Sequence, residues 1–334
     1  MSRTPLLSLL TLGLCLTLVM ASCIPQSPMA TIAPESQATQ ELPTAFPEVK
    51  PSPTSEPLKL TDGLGRIVTL PAPAKRIVSM APSNTEILFA IGAGGQVIGR
   101  DEFSDFPAES KNLPSIGGGF GDYNNEAIVQ LQPDLVLAAE INSPEQVKAL
   151  EDLELTVFLL ANPSTLAELY DNLLLVGQMT GQEAKAAELV ETLQQRETAV
   201  VDKLSAVSGR PRVFYELDNT DPSAPWTAGP ETFIDTLISM AGGDNVAGNL
   251  DGQYVQLSLE ALLVEDPQVM LLGDAAYGVT PGSVGERPGW EAISAVRDGR
   301  VYPFDDNLVS RPGPRLVDGL EALAKLLHPE LFEQ

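Results

Sequence analysis

Two stretches of this chain follow one plan. Asn124–Leu137 (NNEAIVQLQPDLVL) and Ser258–Leu271 (SLEALLVEDPQVML) each open on a helix-capping residue, carry a glutamate two positions on, then an alanine and apolar residues at helical spacing. In both, a proline follows the glutamate by seven positions, at 133 and 267, and an apolar strand follows the proline. A short helix feeding a buried strand is part of a βαβ unit. Its recurrence restricts the chain to folds made of two related α/β halves.

The flanking sequence fits that restriction. Leu58–Leu70 (LKLTDGLGRIVTL) reads as a hairpin turning at Asp62-Gly63 or Leu64-Gly65. Lys75–Met80 is a short buried strand, and Ser83-Asn84-Thr85-Glu86 has the pattern of a capping box opening a helix over 85–91, which Gly92 and Gly94 stop. Strands around Val97-Ile98-Gly99, Leu135-Val136-Leu137 and Val157–Leu160 alternate with helices, the arrangement of a mostly parallel sheet covered on its faces. An amphipathic helix over 165–179 precedes a longer one over 183–207, rich in Ala, Glu, Gln and Leu. Alternation resumes at Arg212–Tyr215 and ends in a helix over 314–327, which divides the folded part into a lobe at 58–182, a connecting helix at 183–207 and a lobe at 208–334.

Ahead of these lie segments of other character. Met-Ser-Arg, an apolar run from Leu6 to Met20 and then Ala21-Ser22-Cys23 have the order of a secretory signal peptide over 1–22. The run is shorter than the roughly 20 apolar residues of a spanning helix. From 24 to 57 the chain is rich in Pro, Ser, Thr, Ala and Gln without apolar periodicity, so it reads as a disordered tether. Such a tether reaches at most about 3 Å per residue.

Charge and rare residues exclude several functions. Twenty Lys+Arg against 45 Asp+Glu give a formal charge of −25, which repels phosphate backbones, so nucleic acid is not an expected partner. The only cysteines are Cys15 and Cys23, which leaves the folded part without a disulfide. With His328 as the single histidine, a histidine-rich metal cluster and a Ser-His or Cys-His catalytic site are both disfavoured. A carboxylate-pair hydrolase remains formally open because acids are abundant, although no pair is marked out. No enzyme activity and no cofactor are expected.

Glu126 and Glu260 occupy equivalent first-turn positions, where the helix dipole stabilises a carboxylate by typically 0.3–1 kcal/mol. That effect could be their whole role. Alternatively, one carboxylate on each half, at the same end of the molecule, could bridge to two basic sites on a symmetric partner.

Several segments resemble one family. Lys75–Gly99 (KRIVSMAPSNTEILFAIGAGGQVIG), Ser104-Asp105-Phe106-Pro107, Asn125-Glu126 through Pro133-Asp134-Leu135-Val136, Ala228-Gly229 through Phe233-Ile234-Asp235, Ala241-Gly242-Gly243, Ser258-Leu259-Glu260 and Arg311-Pro312-Gly313-Pro314-Arg315 resemble, in order and spacing, the iron-siderophore and vitamin B12 class of periplasmic solute-binding proteins. The resemblance covers nearly everything from Leu58 onward. It implies an α/β fold of two Rossmann-like lobes joined by a single long helix, with ligand in the cleft between them. It also implies that Glu126 and Glu260 dock onto arginines of an ABC permease dimer, which works with its ATPase subunits. Met20-Ala21-Ser22-Cys23 resembles a bacterial lipobox, implying lipidation at Cys23 and a membrane anchor on the extracytoplasmic side.

The ligand expectation follows from the same resemblance. The vitamin B12-binding members imply that Phe106, Phe120, Trp226 and Tyr254 face the cleft, and that Asp306, Asn307 and Arg311 hydrogen-bond peripheral amides. A corrin needs aromatic walls with a few polar groups at the rim. A ferric siderophore usually calls for a basic rim, and this chain is poor in arginine. Haem would require an axial ligand, for which Tyr254 or Tyr277 is available. The Ser104–Pro107 motif looks closest to the corrinoid subgroup, so a corrinoid is the expected ligand and an iron chelate or haem the alternative.

Overall fold

The computed structural model describes residues 56–119 and 122–332. The expected signal peptide, Cys23, almost all of the tether and Phe120 lie outside these residues.

A hairpin opens the described chain, β1 (Leu58–Thr61) paired antiparallel with β2 (Ile67–Leu70). Asp62 shapes its turn by accepting from the amides of Leu64 (3.0 Å) and Arg66 (2.9 Å). The N-terminal lobe then runs β3 (Ile77–Ser79), α1 (Pro82–Ala90), β4 (Val97–Arg100), α2 (Asn125–Gln130), β5 (Leu135–Ala139), α3 (Pro144–Glu151) and β6 (Val157–Leu160). Its four strands lie in the order β4-β3-β5-β6, all parallel. Every residue of β3, β5 and β6 is buried, as a sheet covered on both faces requires.

Two helices leave this lobe, α4 (Leu166–Thr180) and α5 (Glu183–Leu204), separated by Gly181 at φ +68°. That conformation costs glycine nothing and turns the chain sharply. α5 ends three residues before the position read from sequence. Consecutive residues tie it to both lobes. Tyr170 on α4 donates to Glu197 (2.7 Å), and Arg196 binds Glu321 (2.9 Å) and Asp318 (2.6 Å) of the last helix.

The C-terminal lobe comprises β7 (Arg212–Asp218), β8 (Trp226–Ala228), α6 (Phe233–Met240), β9 (Asp244–Asn245), β10 (Tyr254–Gln256), α7 (Leu259–Glu265), β11 (Val269–Leu272), α8 (Pro281–Gly285), α9 (Ser294–Arg297), β12 (Val301–Pro303), α10 (Asn307–Ser310) and α11 (Leu316–Leu327). Its sheet is mixed. β9, β7, β11 and β12 are parallel, whereas β8 pairs antiparallel with β7 and β10 with β8. One hydrophobic core runs from Ile77 and Leu135 through α4 and α5 to Val213, Val269 and α11. Two smaller clusters cover the far faces of the two sheets.

The repeat read from the sequence is structural. Asn124 and Ser258 both cap their helices, accepting from the amides of Ala127 (2.9 Å) and Ala261 (3.2 Å). The residue before each proline has positive φ, Gln132 at 48° and Asp266 at 42°. Arg76 donates to the carbonyls of Leu131 (2.5 Å) and Gln132 (3.0 Å) at the end of α2. Arg212 makes the same contacts with Glu265 and Asp266 (both 2.7 Å) at the end of α7.

One local expectation fails. The helix near Ser83 starts instead at Pro82, with Ala81 as an N-cap that makes no side-chain bond. Proline suits the first helical position because the amide it lacks would be unpaired there. Glu86 is therefore no cap, and its carboxylate has other partners.

Candidate ligand cleft

An ionic cluster joins the two lobes. Glu86 on α1 is 2% exposed and faces two arginines from the segment before α11. Arg315 grips both carboxylate oxygens, Nε to Oε2 at 2.8 Å and Nη2 to Oε1 at 2.6 Å. Arg311 adds Nη1 to Oε1 at 3.1 Å and shares the same nitrogen with Asp105 Oδ1 at 2.8 Å. A lone carboxylate buried this deeply would be costly, and two guanidiniums offset that cost. Burial works against ionisation of Asp105, but the hydrogen bond and charge of Arg311 outweigh it and hold the carboxyl below its usual range. Two acids thus meet two guanidiniums, and the boundary carries no net formal charge.

Phe106 joins this group. Its ring lies 4.1 Å beneath the Arg315 guanidinium, while the residue stays 44% exposed. With Phe89, Pro107 and Pro314 it lines an interlobe cavity of about 260 Å³.

The loop holding Asp105 and Phe106 is fixed from inside. Asp101, 1% exposed, accepts from Ser104 Oγ and from the Phe103 amide (2.9 Å). Ser104 Oγ meets Thr85 Oγ1 at 2.7 Å, which in turn donates to Ser79 Oγ at 2.8 Å.

A second group lies wholly on the C-terminal lobe. In the β8–β10 pairing Trp226 faces Gln256 and Ala228 faces Tyr254, so Trp226 and Tyr254 share one face as diagonal neighbours. They are 41% and 59% exposed, leaving two aromatic surfaces uncovered. Burial lifts the Tyr254 phenol above its ordinary value, and the charge of Asp306 adds to the effect. Tyr215, buried in the middle of β7, donates to Asp306 Oδ1 at 2.9 Å. Burial, then the charges of Asp306, Asp305 and Asp274, push its phenol far above normal. Tyr215 reaches this position past Gly273, where a Cβ would lie 2.6 Å from the ring and 2.7 Å from its hydroxyl. Asn307 gives its side-chain amide to Asp305 (2.8 Å), in a turn within the protein.

Among the described residues, no hydrogen bond or ring contact joins the Phe106–Arg311 group to the Trp226–Tyr254–Asp306 group; the link is the field of Asp305 on Arg315. Arg311, expected as a ligand contact, lies at this boundary with Glu86 and Asp105 as its partners within the protein. Glu126 and Glu260 are exposed, and neither forms an ion pair among the described residues. His328 is buried, with Nε2 3.1 Å from the Gly242 carbonyl, which removes it from the cleft. Tyr277 is 90% exposed.

Sequence reasoning missed Glu86, Arg315 and Tyr215. Arg315 stood in the Arg311–Arg315 motif, and Glu86 was visible but mistaken for a cap. Tyr215 looked like any buried strand residue.

Comparison with known proteins agrees with this architecture. Residues 77–308 match the periplasmic binding protein family. The chain is 33% identical to the uncharacterized ABC transporter substrate-binding lipoprotein YvrC of Bacillus subtilis (strain 168), over 83% of this chain and 88% of the relative. It is 29% identical to the cobalamin-binding protein of Halobacterium salinarum (strain ATCC 29341 / DSM 671 / R1), over 91% of this chain and 80% of the relative. The periplasmic heme-binding protein RhuT from Roseiflexus sp. RS-1 superposes with a TM-score of 0.69 at 27% identity, covering 77% of this chain and 99% of that one. Two α/β lobes, a joining helix and the family match over both lobes make this chain a member of the periplasmic binding protein family, the substrate-binding proteins of ABC transporters.

Proposed function

We propose that this protein is the lipid-anchored, extracytoplasmic receptor of an ABC importer and that its ligand is a corrinoid. The observation that carries the ligand class is the pairing of an open aromatic face, Trp226 and Tyr254, with an acidic wall, Asp305 and Asp306. The arginines at the lobe boundary are already neutralised by Glu86 and Asp105. An anionic siderophore or the propionates of haem would meet the negative charge of Asp305 and Asp306 and no free guanidinium pair. A large, mostly apolar macrocycle with amide side chains can cover the aromatic face and hydrogen-bond the acids as a donor. The cobalamin-binding relative, 29% identical, supports the same choice, and a haem-binding protein 27% identical marks haem as the alternative.

In this reading the anchor is Cys23, and Glu126 and Glu260 dock onto a permease dimer coupled to its ATPase subunits. Because α5 is tied to both lobes and one core runs through it, ligand capture involves small lobe movements rather than wide hinge closure. Isothermal titration of the purified protein with cyanocobalamin, haemin and a ferric hydroxamate tests the assignment. Tight one-to-one binding of cyanocobalamin alone is expected. Binding of haemin alone would move the assignment to haem and make Tyr254 and Tyr277 the first candidates for the axial ligand.

A further inference from the structure

The two arginines that join the lobes are held unequally. Arg315 makes a two-pronged contact with a carboxylate whose side chain is 1% exposed, and it is stacked on Phe106. Removing it would strand that carboxylate. Arg311 is held more loosely. Its Nη1 is divided between Glu86 and Asp105, its Nη2 reaches only the Phe103 carbonyl at 3.5 Å, and its Nε makes no hydrogen bond among the described residues. The Asp105 side chain is 48% exposed, so water can replace Arg311 there at little cost. Meanwhile the buried Asp101–Ser104–Thr85–Ser79 chain fixes the backbone just before Asp105, which keeps its carboxylate poised at the guanidinium.

We propose that Asp105 is an internal competitor for Arg311: it occupies the guanidinium that a ligand's oxygen acceptors would take, and capture exchanges Arg311 from Asp105 to the ligand while Arg315 stays on Glu86. Asp105 thereby sets specificity. Only a ligand that presents an amide carbonyl oxygen at this point gives Arg311 an acceptor in place of Asp105, and a ligand without one meets an arginine already satisfied.

The inference rests on the corrinoid reading only through the choice of probe, so the experiment has two arms on the full-length chain. In the first, cyanocobalamin affinity is measured for wild type, Asp105→Asn, Arg311→Ala and the double variant. Removing an exposed competitor should tighten binding by about threefold. In the Arg311→Ala background the same change should have no effect. An unchanged or weaker affinity for Asp105→Asn, or an equal gain without Arg311, would overturn the proposal.

The second arm needs no ligand. Phenylglyoxal modification, read by peptide mass spectrometry, should be several-fold faster at Arg311 in Asp105→Asn than in wild type, with Arg315 equally protected in both. Equal rates at Arg311 would sink the competitor role. Faster modification of Arg311 in a protein that ignores cyanocobalamin would uphold the competitor and overturn the corrinoid assignment.

Discussion

In the N-terminal lobe β3 lies between β4 and β5, and the row ends at β6; in the C-terminal lobe β7 lies between β9 and β11, and the row ends at β12. The skeletons correspond strand for strand, down to the arginines, Arg76 and Arg212, that hold the ends of α2 and α7. What the C-terminal lobe adds is the antiparallel pair β8 and β10, placed on the far half of the β7 edge that β9 leaves open. Trp226 and Tyr254 both sit on that addition. The repeated part of the molecule therefore carries the features that come in pairs, Glu126 and Glu260. The unrepeated part carries the aromatic surface that makes the cleft asymmetric, as an asymmetric ligand requires.

The largest expected effect tests the repeat. If Glu126 and Glu260 meet two equivalent sites on a dimeric permease, reversing both to Lys should abolish ligand uptake in cells while ligand affinity stays within about twofold, because neither residue touches the aromatic face. Each single reversal should impair uptake to a similar degree. Loss of binding in the double variant would show that the carboxylates belong to the ligand site, and unequal single variants would break the symmetry.

The next test concerns the addition. Trp226→Ala should weaken ligand binding by roughly thirtyfold, as removal of a central aromatic anchor does, with little change in thermal stability because the ring is largely uncovered. Phe106→Ala should cost several-fold less in affinity and more in stability, since its ring supports Arg315. A reversed order in a titration series would move the main ligand surface to the N-terminal lobe.

These two groups were not equally legible in the sequence. The repeat was plain because caps, helical spacing, proline and strand lie within fourteen residues, where local chemistry decides the structure. β8 and β10 were not, since each has only three residues and neither shows the length or alternation that marks a strand. Glu86 shows the reverse failure. A serine three residues before a glutamate is a genuine local capping signal, yet the partners that hold this carboxylate lie 225 and 229 positions away. Local pattern cannot register a buried charge whose compensation arrives from the other lobe. Phe120 lies outside the described residues, so its expected place in the cleft has no structural counterpart here.

Acid chemistry also separates the lobes. Each has a buried carboxyl just beyond a strand, Asp101 after β4 and Asp274 after β11, but Asp101 is satisfied by Ser104 and the Phe103 amide whereas neither oxygen of Asp274 meets a donor. Burial first, then the charge of Glu216, pushes Asp274 up to about 7, against the opposing pull of Arg287. Glu216 is itself gripped by Arg287 at 2.5 and 2.8 Å. Below pH 7 the folded protein holds a proton that the unfolded chain releases near pH 4, so stability falls as pH rises between those values. From pH 5 to 7 the loss should be about 2 kcal/mol, and it should vanish in Asp274→Asn, leaving that variant more stable than wild type at pH 8. Denaturant titrations at the three pH values check this; an unchanged slope in the variant would assign the pH dependence to another group.

The smallest effect probes the skeleton at the point where its two copies chose different residues. Asp134 accepts from the amides of Lys75 (2.9 Å) and Arg76 (3.0 Å), and its counterpart Gln268 accepts from the Arg212 amide alone at 3.1 Å. Each side chain binds the chain entering one strand, β3 or β7, to the chain entering its sheet neighbour, β5 or β11. A carboxylate with two amides forms charge-assisted bonds, roughly twice as strong as the neutral bond of an amide oxygen. Asp134→Ala should therefore cost about 1.5 kcal/mol of stability and Gln268→Ala about 0.5 kcal/mol, both groups being near the surface. Equal losses in denaturant titrations would mean that backbone pairing alone sets these strand starts and that the two copies differ there without energetic consequence.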